Sequence, residues 1–429
     1  MRAISLFSSA GLGDLGIVKS GIEIVISSEL LENRHKLYAQ NFPSVKCITG
    51  DIWETVPKII EAYREKYDDK ELFMIYATPP CQGMSTNGAG TLLKNIRNGT
   101  RPHLDERNRL VIPMTDIACE LKPRWLLMEN VPNMANTIIQ DEYGEYVNII
   151  DYIAKRLGTD YVGKASVVTC SDYGIPQRRP RLITIFTRDE DGKRYLKRFG
   201  TFFPSFEKQP QVTLRQAIGN FPPLSAEEGK NARLDFNPYH YVPIMKKEKL
   251  WWIHNTPEGS TAYNNQCINP DCGYQGNPGH KDVVNDGIAQ ASTDIPIFCA
   301  KCGQLLPRPS LIDKITNERR LLKGFHSAYR RMKWDEPAPT LTQNFIYEAS
   351  DNKVHPEQDR VLSFYEALVI QTISQYDYNF MINGKPPTNA FFAEIIGESV
   401  PPKLIQMICE KIINIKEKAD EKTIDTIFY

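Results

Sequence analysis

The chain carries no excess of charge of either sign: 52 Lys and Arg balance 52 Asp and Glu. Overall charge therefore supplies no attraction for a polyanion, and a nucleic-acid partner must be met by local basic patches. No apolar run approaches the roughly 18 residues that a membrane span needs, so no membrane association is expected. The start, Met1-Arg2-Ala3-Ile4-Ser5-Leu6, runs straight into strand-like sequence with no signal peptide evident, and a cytoplasmic location is expected. In that compartment the nine cysteines are not expected to pair as disulfides. No internal repeat and no low-complexity tract is present, which excludes solenoids and arrays.

What is there is ordinary globular sequence. The 429 residues are 41% hydrophobic and 24% charged, enough for about two or three domains with their own cores. Up to residue 187, strand-like and helix-like patterns alternate. Apolar β-rich runs fall at Ala3–Phe7, Glu23–Ser27, Val45–Ile48, Leu72–Tyr76, Trp125–Met128, Ala165–Thr169 and Leu182–Thr187, with amphipathic segments such as Trp53–Tyr67 and Leu110–Leu121 between them. This pattern predicts a mostly parallel α/β sheet. From about 190 the helical periodicity fades and Pro, Asn, Gly and Trp become frequent. Helical patterning returns in Glu357–Ile373 and in a final helix over Pro402–Glu417. The expected division is a catalytic, cofactor-binding domain over 1–190, an irregular domain over 191–356, a hinge and helix over 357–390, and a return to the first domain over 391–429.

Polar residues cluster where the predicted strands end, which is where open α/β sheets bind ligands. Strand one opens into Phe7-Ser8-Ser9-Ala10-Gly11-Leu12, and strand two ends near Glu29. Strand three leads to Asp51-Ile52, strand four to Pro79-Pro80-Cys81-Gln82, and strand five to Glu129. Gly11-x-Gly13-x-x-Gly16 also matches a dinucleotide fingerprint, but Ser8, Ser9 and Ala10 intervene after the strand. A glycine turn, a ribose-binding Glu29 and an adenine-binding Asp51 with Ile52 against the ring describe an adenosine-containing cofactor. They do not choose between NAD and S-adenosylmethionine. A thiol at a strand end, followed by the glycine-rich 83–90 stretch, favours a nucleophile under a closing loop over a hydride-transfer site.

Cys267-x4-Cys272 and Cys299-x2-Cys302 form two paired knuckles with turn residues between the ligands. This spacing predicts a structural four-cysteine Zn2+ site in a module of about residues 262–306, with His254 or His280 as alternative ligands. Around it gather Lys301, Arg308, Lys314, Arg319, Arg320, Lys323, Arg330, Arg331 and Lys333, interleaved with Trp251, Trp252, Tyr329 and Trp334. In a chain of zero net charge this concentration predicts a DNA-facing surface.

The segments "LFSSAGLGDLG", "TPPCQGMS", "DERNRL", "MENVPNM", "SDYGIPQRRPRLITIF", "RMKWDEPAPTLTQNF", "DRVLSFYEALVIQT" and "GESVPP" resemble, in order, the motifs of the DNA cytosine-C5 methyltransferases. They span nearly the whole chain except about 190–325. The resemblance implies a Rossmann-like S-adenosylmethionine-dependent methyltransferase domain and a smaller target-recognition domain over the irregular region. It assigns Cys81 as nucleophile with Gln82 beside it, Glu129 as the group on the cytosine, and Arg179 and Arg181 as supports for nucleophile and base. Phe7, Ser9, Ala10, Gly11, Leu12, Glu29, Asp51, Ile52, Pro79, Ser399 and Val400 would hold the cofactor. It also implies base flipping and a covalent Cys81–C6 intermediate, with Lys94, Arg97 and Arg101 of the 83–108 loop near phosphates. The expected partner is double-stranded DNA, with no obligate protein partner, and the expected role is the modification enzyme of a restriction-modification system.

Two departures from the family pattern stand out. Ser9 and Leu12 fill glycine slots of the first motif, and Glu398 replaces an asparagine of the last. The rival readings are a tRNA cytosine-5 methyltransferase, a catalytically silent zinc-containing DNA-binding protein and an oxidoreductase.

Overall fold

The computed structural model describes residues 1–68, 70–80, 105–280, 283–285, 288–290, 294–324, 327–350, 352–382 and 384–420. Seven strands form one sheet: β1 (Arg2–Leu6), β2 (Glu23–Glu29), β3 (Lys46–Thr49), β4 (Met74–Ala77), β5 (Trp125–Asn130), β6 (Val162–Thr169) and β7 (Pro180–Thr187). Their spatial order is β3-β2-β1-β4-β5-β7-β6. The first five pair in parallel, and β7 runs antiparallel between β5 and β6. The mostly parallel α/β sheet expected from the sequence is thus the fold.

The central strands are buried on both faces, and their alternation sorts the side chains into two layers. Ile75, Ala77, Leu126 and Met128 pack with Ile59, Ile117 and Ile153 of α3 (Ile52–Tyr67), α4 (Val111–Leu121) and α5 (Ile149–Leu157). Met74, Tyr76, Trp125 and Leu127 pack with Leu404, Ile405, Ile408 and Ile412. Those four lie at helical spacing on one face of Pro402–Ile413, a helix from the far end of the chain. Each buried aliphatic side chain of this kind contributes roughly 1.5–3 kcal/mol. The sheet domain is therefore closed by C-terminal sequence.

Two short helices, α1 (Asp14–Lys19) and α2 (Glu32–Asn41), follow β1 and β2, and α6 (Glu190–Phe199) packs against Trp125 of β5. A Cβ on Gly192 of α6 would lie 2.4 Å from the Trp125 ring, so glycine sets that approach. Further on come α7 (Leu214–Ile218), α8 (Lys247–His254), α9 (Phe364–Ile370), α10 (Asn389–Glu398), α11 (Pro402–Ile413) and α12 (Ile415–Asp420). Among the described residues no helix is long and apolar enough to cross a membrane.

The expected helix over Glu357–Ile373 is shorter. It starts at Phe364, because Ser363 and Glu366 form a capping box and Arg360 clamps the Glu366 carboxylate through 2.7 and 2.8 Å bonds. The expected Pro402–Glu417 helix is split into α11 and α12 at Asn414.

Between α7 and α9 regular structure is sparse, and loop carbonyls need other donors. Arg308 is fully buried and donates to the carbonyls of Asn265, Pro278 and Pro296 at 2.7, 2.6 and 2.8 Å. Arg331, also buried, donates to the carbonyls of Thr256, His355 and Gln358 and pairs with Asp359. Both were expected on a DNA-facing surface; the structure corrects this, since each holds loops together from inside. Trp252, Tyr329 and Trp334 are likewise core residues. Arg319, Arg320 and Lys333 pair with Glu248, Asp313 and Glu336.

Candidate active site at the carboxyl edge of the sheet

Strand register brings the expected polar residues to one edge. Leu6 pairs with Ser28 and Ala77, Glu29 with Thr49, and Ala77 with Met128. Phe7, Glu29, Asp51, Thr78 and Glu129 therefore leave adjacent strands at the same end. Cys81, Gln82, Lys94, Arg97 and Arg101 lie outside the described residues. The segment leading to Cys81 is held from the neighbouring strand: Asn130 Nδ2 donates to the Pro79 carbonyl at 2.8 Å. Asn130 was not given a role from the sequence, though it lies inside the quoted "MENVPNM".

Glu129 is buried beside Arg181, whose Nε meets its Oε1 at 2.7 Å. Burial pushes the Glu129 carboxyl upward, and Arg181 and then Arg179 oppose the shift. A carboxyl whose pKa is raised in this way holds a proton more readily than an exposed one. Arg181 thus meets the carboxylate that the resemblance places on the cytosine. Arg179 also acts on the carboxylate through its charge. Its guanidinium donates to the carbonyls of Leu341 at 2.6 Å and Gly397 at 3.0 Å, joining the strand segment to two distant parts of the chain. It thereby positions these segments as well. The thiol of Cys170 is close enough to Arg179, Arg181 and Glu129 to feel their charges, but burial pushes it up to about 12. It stays protonated and is no rival nucleophile.

The turn after β1 carries positive φ at Phe7 (58°), Ser9 (48°) and Gly11 (78°). A Cβ on Gly11 would lie 2.6 Å from the Phe42 ring and 2.7 Å from that of Tyr38, so glycine is needed there on both counts. Ser9 keeps the left-handed conformation without being glycine. Glu29 fixes the turn: its Oε2 accepts the Ser9 N–H at 2.8 Å, and its Oε1 accepts the Leu31 N–H at 2.9 Å. Each oxygen retains a lone pair for a hydroxyl.

Asp51 is exposed and caps α3 by accepting the Trp53 N–H at 3.0 Å, which leaves its second oxygen open. Ile52 packs into the core under the sheet and presents little side chain outward. Leu12 and Val400 are also core residues, and Ala10, buried, offers its carbonyl to Tyr378 at 2.6 Å. Ser399 is tied to Gln371, which donates to its carbonyl and hydroxyl at 2.5 and 2.9 Å. Gln371 also accepts from Gln177 at 2.6 Å.

The four module cysteines converge. Their Sγ atoms all lie within 4.8 Å of one another. Cys267 and Cys302 are 3.6 Å apart, and Cys272 and Cys299 are 3.9 Å apart. His254 instead pairs with Asp359, and the His280 ring packs on Tyr263, so neither joins the cluster.

A family model for C-5 cytosine-specific DNA methylase matches residues 1–414. The chain belongs to this family. Type II methyltransferase M1.HgaI of Avibacterium volantium is 30% identical over 425 residues, covering 96% of this chain and 98% of the relative. M.AgeI of Thalassovita gelatinovora is 25% identical over 461 residues, covering 96% and 99%. Two solved structures share the fold. A prophage-encoded E. coli protein described as a DNA modification methyltransferase gives a TM-score of 0.53 at 20% identity, covering 97% of this chain and 99% of its own. DNMT2 of Spodoptera frugiperda gives 0.51 at 15%, with the same coverage. The methylase therefore transfers a methyl group to cytosine C5 in DNA.

Proposed function

We propose that this methylase is the modification enzyme of a type II restriction-modification system and acts on a specific sequence in double-stranded DNA. The relatives named above are type II methyltransferases. The observation that carries the site assignment is the buried Glu129–Arg181 pair beside the strand-end segment that leads to Cys81.

Cytosine C5 is a poor nucleophile until C6 is attacked. Cys81 supplies the thiolate that adds to C6 of a flipped-out base. Glu129 hydrogen-bonds N3 and the exocyclic amine and delivers the proton that N3 takes as negative charge builds. Arg181 holds the Glu129 carboxyl in place. Phe7, Ser9, Glu29 and Asp51 face the cofactor, while Gly11 gives backbone access. The paired N–H bonds on Glu29 fit a ribose-binding carboxylate, and S-adenosylmethionine supplies an electrophilic methyl group when bound there. After C5 is methylated, loss of its proton and of the Cys81 thiol restores the ring.

The cysteine cluster is read as a structural zinc site. Tetrahedral Zn2+ with thiolates at about 2.3 Å sets the sulfurs about 3.8 Å apart, which matches the observed 3.6 and 3.9 Å. Four protein ligands leave no open position for catalysis. Purified protein should hold about one equivalent of zinc, and a chelator should lower its melting temperature. Less than about half an equivalent, with melting unchanged by chelator, overturns this assignment.

The test of the main reading is a covalent trap. Duplex DNA carrying 5-fluorocytosine blocks loss of the C5 substituent. With S-adenosylmethionine it should give a denaturant-stable adduct that disappears in Cys81→Ser. No adduct on DNA, with one on tRNA, overturns the proposed substrate.

A further inference from the structure

Two of the departures from the family's cofactor motifs, Ser9 for glycine and Glu398 for asparagine, sit near opposite ends of the chain. One residue joins them. Arg34 of α2 follows Glu29 by little more than a helical turn. Its Nη1 donates to Ser9 Oγ at 3.4 Å, and its Nη2 pairs with Glu398 Oε2 at 2.8 Å and with Glu394.

The Arg34 side chain is only 12% exposed. Burial disfavours its charge, but Glu394, Glu398 and Glu29 outweigh that and hold it ionised. Ser9 is thereby gripped twice. Its N–H is on Glu29, and its hydroxyl is on Arg34. These bonds stabilise a left-handed conformation that a non-glycine residue otherwise avoids. A third tie comes from the same end of the chain, Tyr378 on the Ala10 carbonyl at 2.6 Å.

An exposed ion pair of this length is usually worth little. This one is mostly buried on the arginine side, joins Arg34 to two carboxylates with the charge of Glu29 nearby, and spans two elements that the cofactor pocket needs together. We propose that Ser9, Arg34 and Glu398 form a latch that locks the cofactor turn against the C-terminal return, and that Arg34 is a positioning residue for the cofactor. The two departures are then one compensated change: bonds from Arg34 replace the conformational freedom that glycine would give. The proposal rests on reading this edge as the S-adenosylmethionine pocket.

The test is equilibrium binding of S-adenosylmethionine and S-adenosylhomocysteine to the full chain without DNA, with KM and kcat measured beside it. Arg34→Met should weaken S-adenosylmethionine binding by about ten-fold or more and raise its KM to match, with kcat at saturating cofactor within about two-fold. Ser9→Gly in the Arg34→Met background should restore at least about half of the lost binding, because glycine needs no latch to hold the turn. Glu398→Gln, which removes only the charge, should weaken binding by about three-fold or more and guards against misfolding of the Arg34 variant. Binding within about two-fold of wild type in both Arg34→Met and Glu398→Gln overturns the latch, as does failure of Ser9→Gly to restore any binding. Failure of the wild-type protein to bind S-adenosylmethionine overturns instead the reading of the pocket.

Discussion

Replacing Arg181 by methionine isolates the electrostatic part of the active site. Methionine keeps most of the length and apolar contact of the arginine stem but donates nothing. The bond lost is 2.7 Å long, to a carboxylate whose side chain is 9% exposed, from a guanidinium that is 12% exposed. A hydrogen bond to a charged group in such a place contributes about 1.5–3 kcal/mol, or roughly 10- to 150-fold in rate. The sign of the accompanying pH effect also follows. Burial already raises the Glu129 carboxyl, and Arg181 is the largest influence opposing that rise. Without Arg181 the carboxyl titrates at still higher pH. The expected outcome is a kcat/KM for labelled methyl transfer lowered about 10- to 150-fold near neutrality, with the Glu129 limb of the profile displaced to higher pH. Arg181→Lys should fall between, because lysine restores charge but not the guanidinium geometry. A loss of less than about three-fold, with the pH profile in place and the melting temperature unchanged, would refute the claim that Arg181 holds Glu129 for the reaction.

Other perturbations test the frame around the site. Gly16→Ala puts a Cβ 2.2 Å from the Pro402 carbonyl oxygen, so α1 and α11 must separate, and thermal melting should show a loss of about 1–3 kcal/mol. Arg360→Met strands the buried Glu366 carboxylate, which Arg360 helps hold at about 2, and should cost about 3–5 kcal/mol; adding Glu366→Gln should recover most of the loss. Asp14, buried against Ser5 and Tyr38, is pushed up from 3.8 to about 6. The folded state then binds the proton more tightly, so this group's contribution to stability falls as pH rises from about 4 to 6. Asp14→Asn should accordingly melt higher than wild type at about pH 7.5, by up to about 2–3 kcal/mol, and show no such gain at about pH 4. An equal difference at both pH values contradicts the buried-charge account.

Much of this architecture is legible in the sequence because parallel strands buried on both faces read as continuous apolar runs. Trp125-Leu126-Leu127-Met128 needs no partner to be recognised. The polar residue that closes or follows each run then falls at the carboxyl edge by topology, as Glu29, Asp51 and Glu129 do. What the sequence hides is what each side chain reaches. Arg308 and Arg331 look like a DNA-binding patch when counted along the chain, yet each serves carbonyls of loops that lack a sheet ladder. Arginine's long stem and five donors suit both jobs, so composition cannot separate them. Arg34 carries no local signal at all. Its role appears only once the first motif and the C-terminal return are side by side.

That closure matters for how the active site is assembled. Gln177 and Arg179 precede β7, next to Arg181. Gln177 bonds Gln371, which in turn grips Ser399, and its Oε1 accepts the Leu341 N–H at 2.7 Å. Arg179 bridges the Leu341 and Gly397 carbonyls. A Cβ on Gly397 would lie 2.2 Å from the Gln343 N, so the C-terminal return and the segment following the cysteine module are in tight contact there. One short stretch, Gln177 to Arg181, thus ties together the Glu129 carboxylate, the end of the irregular region and the Gly397–Ser399 segment. Most of these links are buried hydrogen bonds, whose loss leaves a desolvated group unpaired. These bonds, with the core that Leu12 and Tyr38 share with Trp334 and Leu341, couple the irregular region to the turn after β1. Weakening Arg179 should consequently perturb cofactor affinity and DNA affinity together, whereas weakening Arg181 should spare both and slow the chemistry.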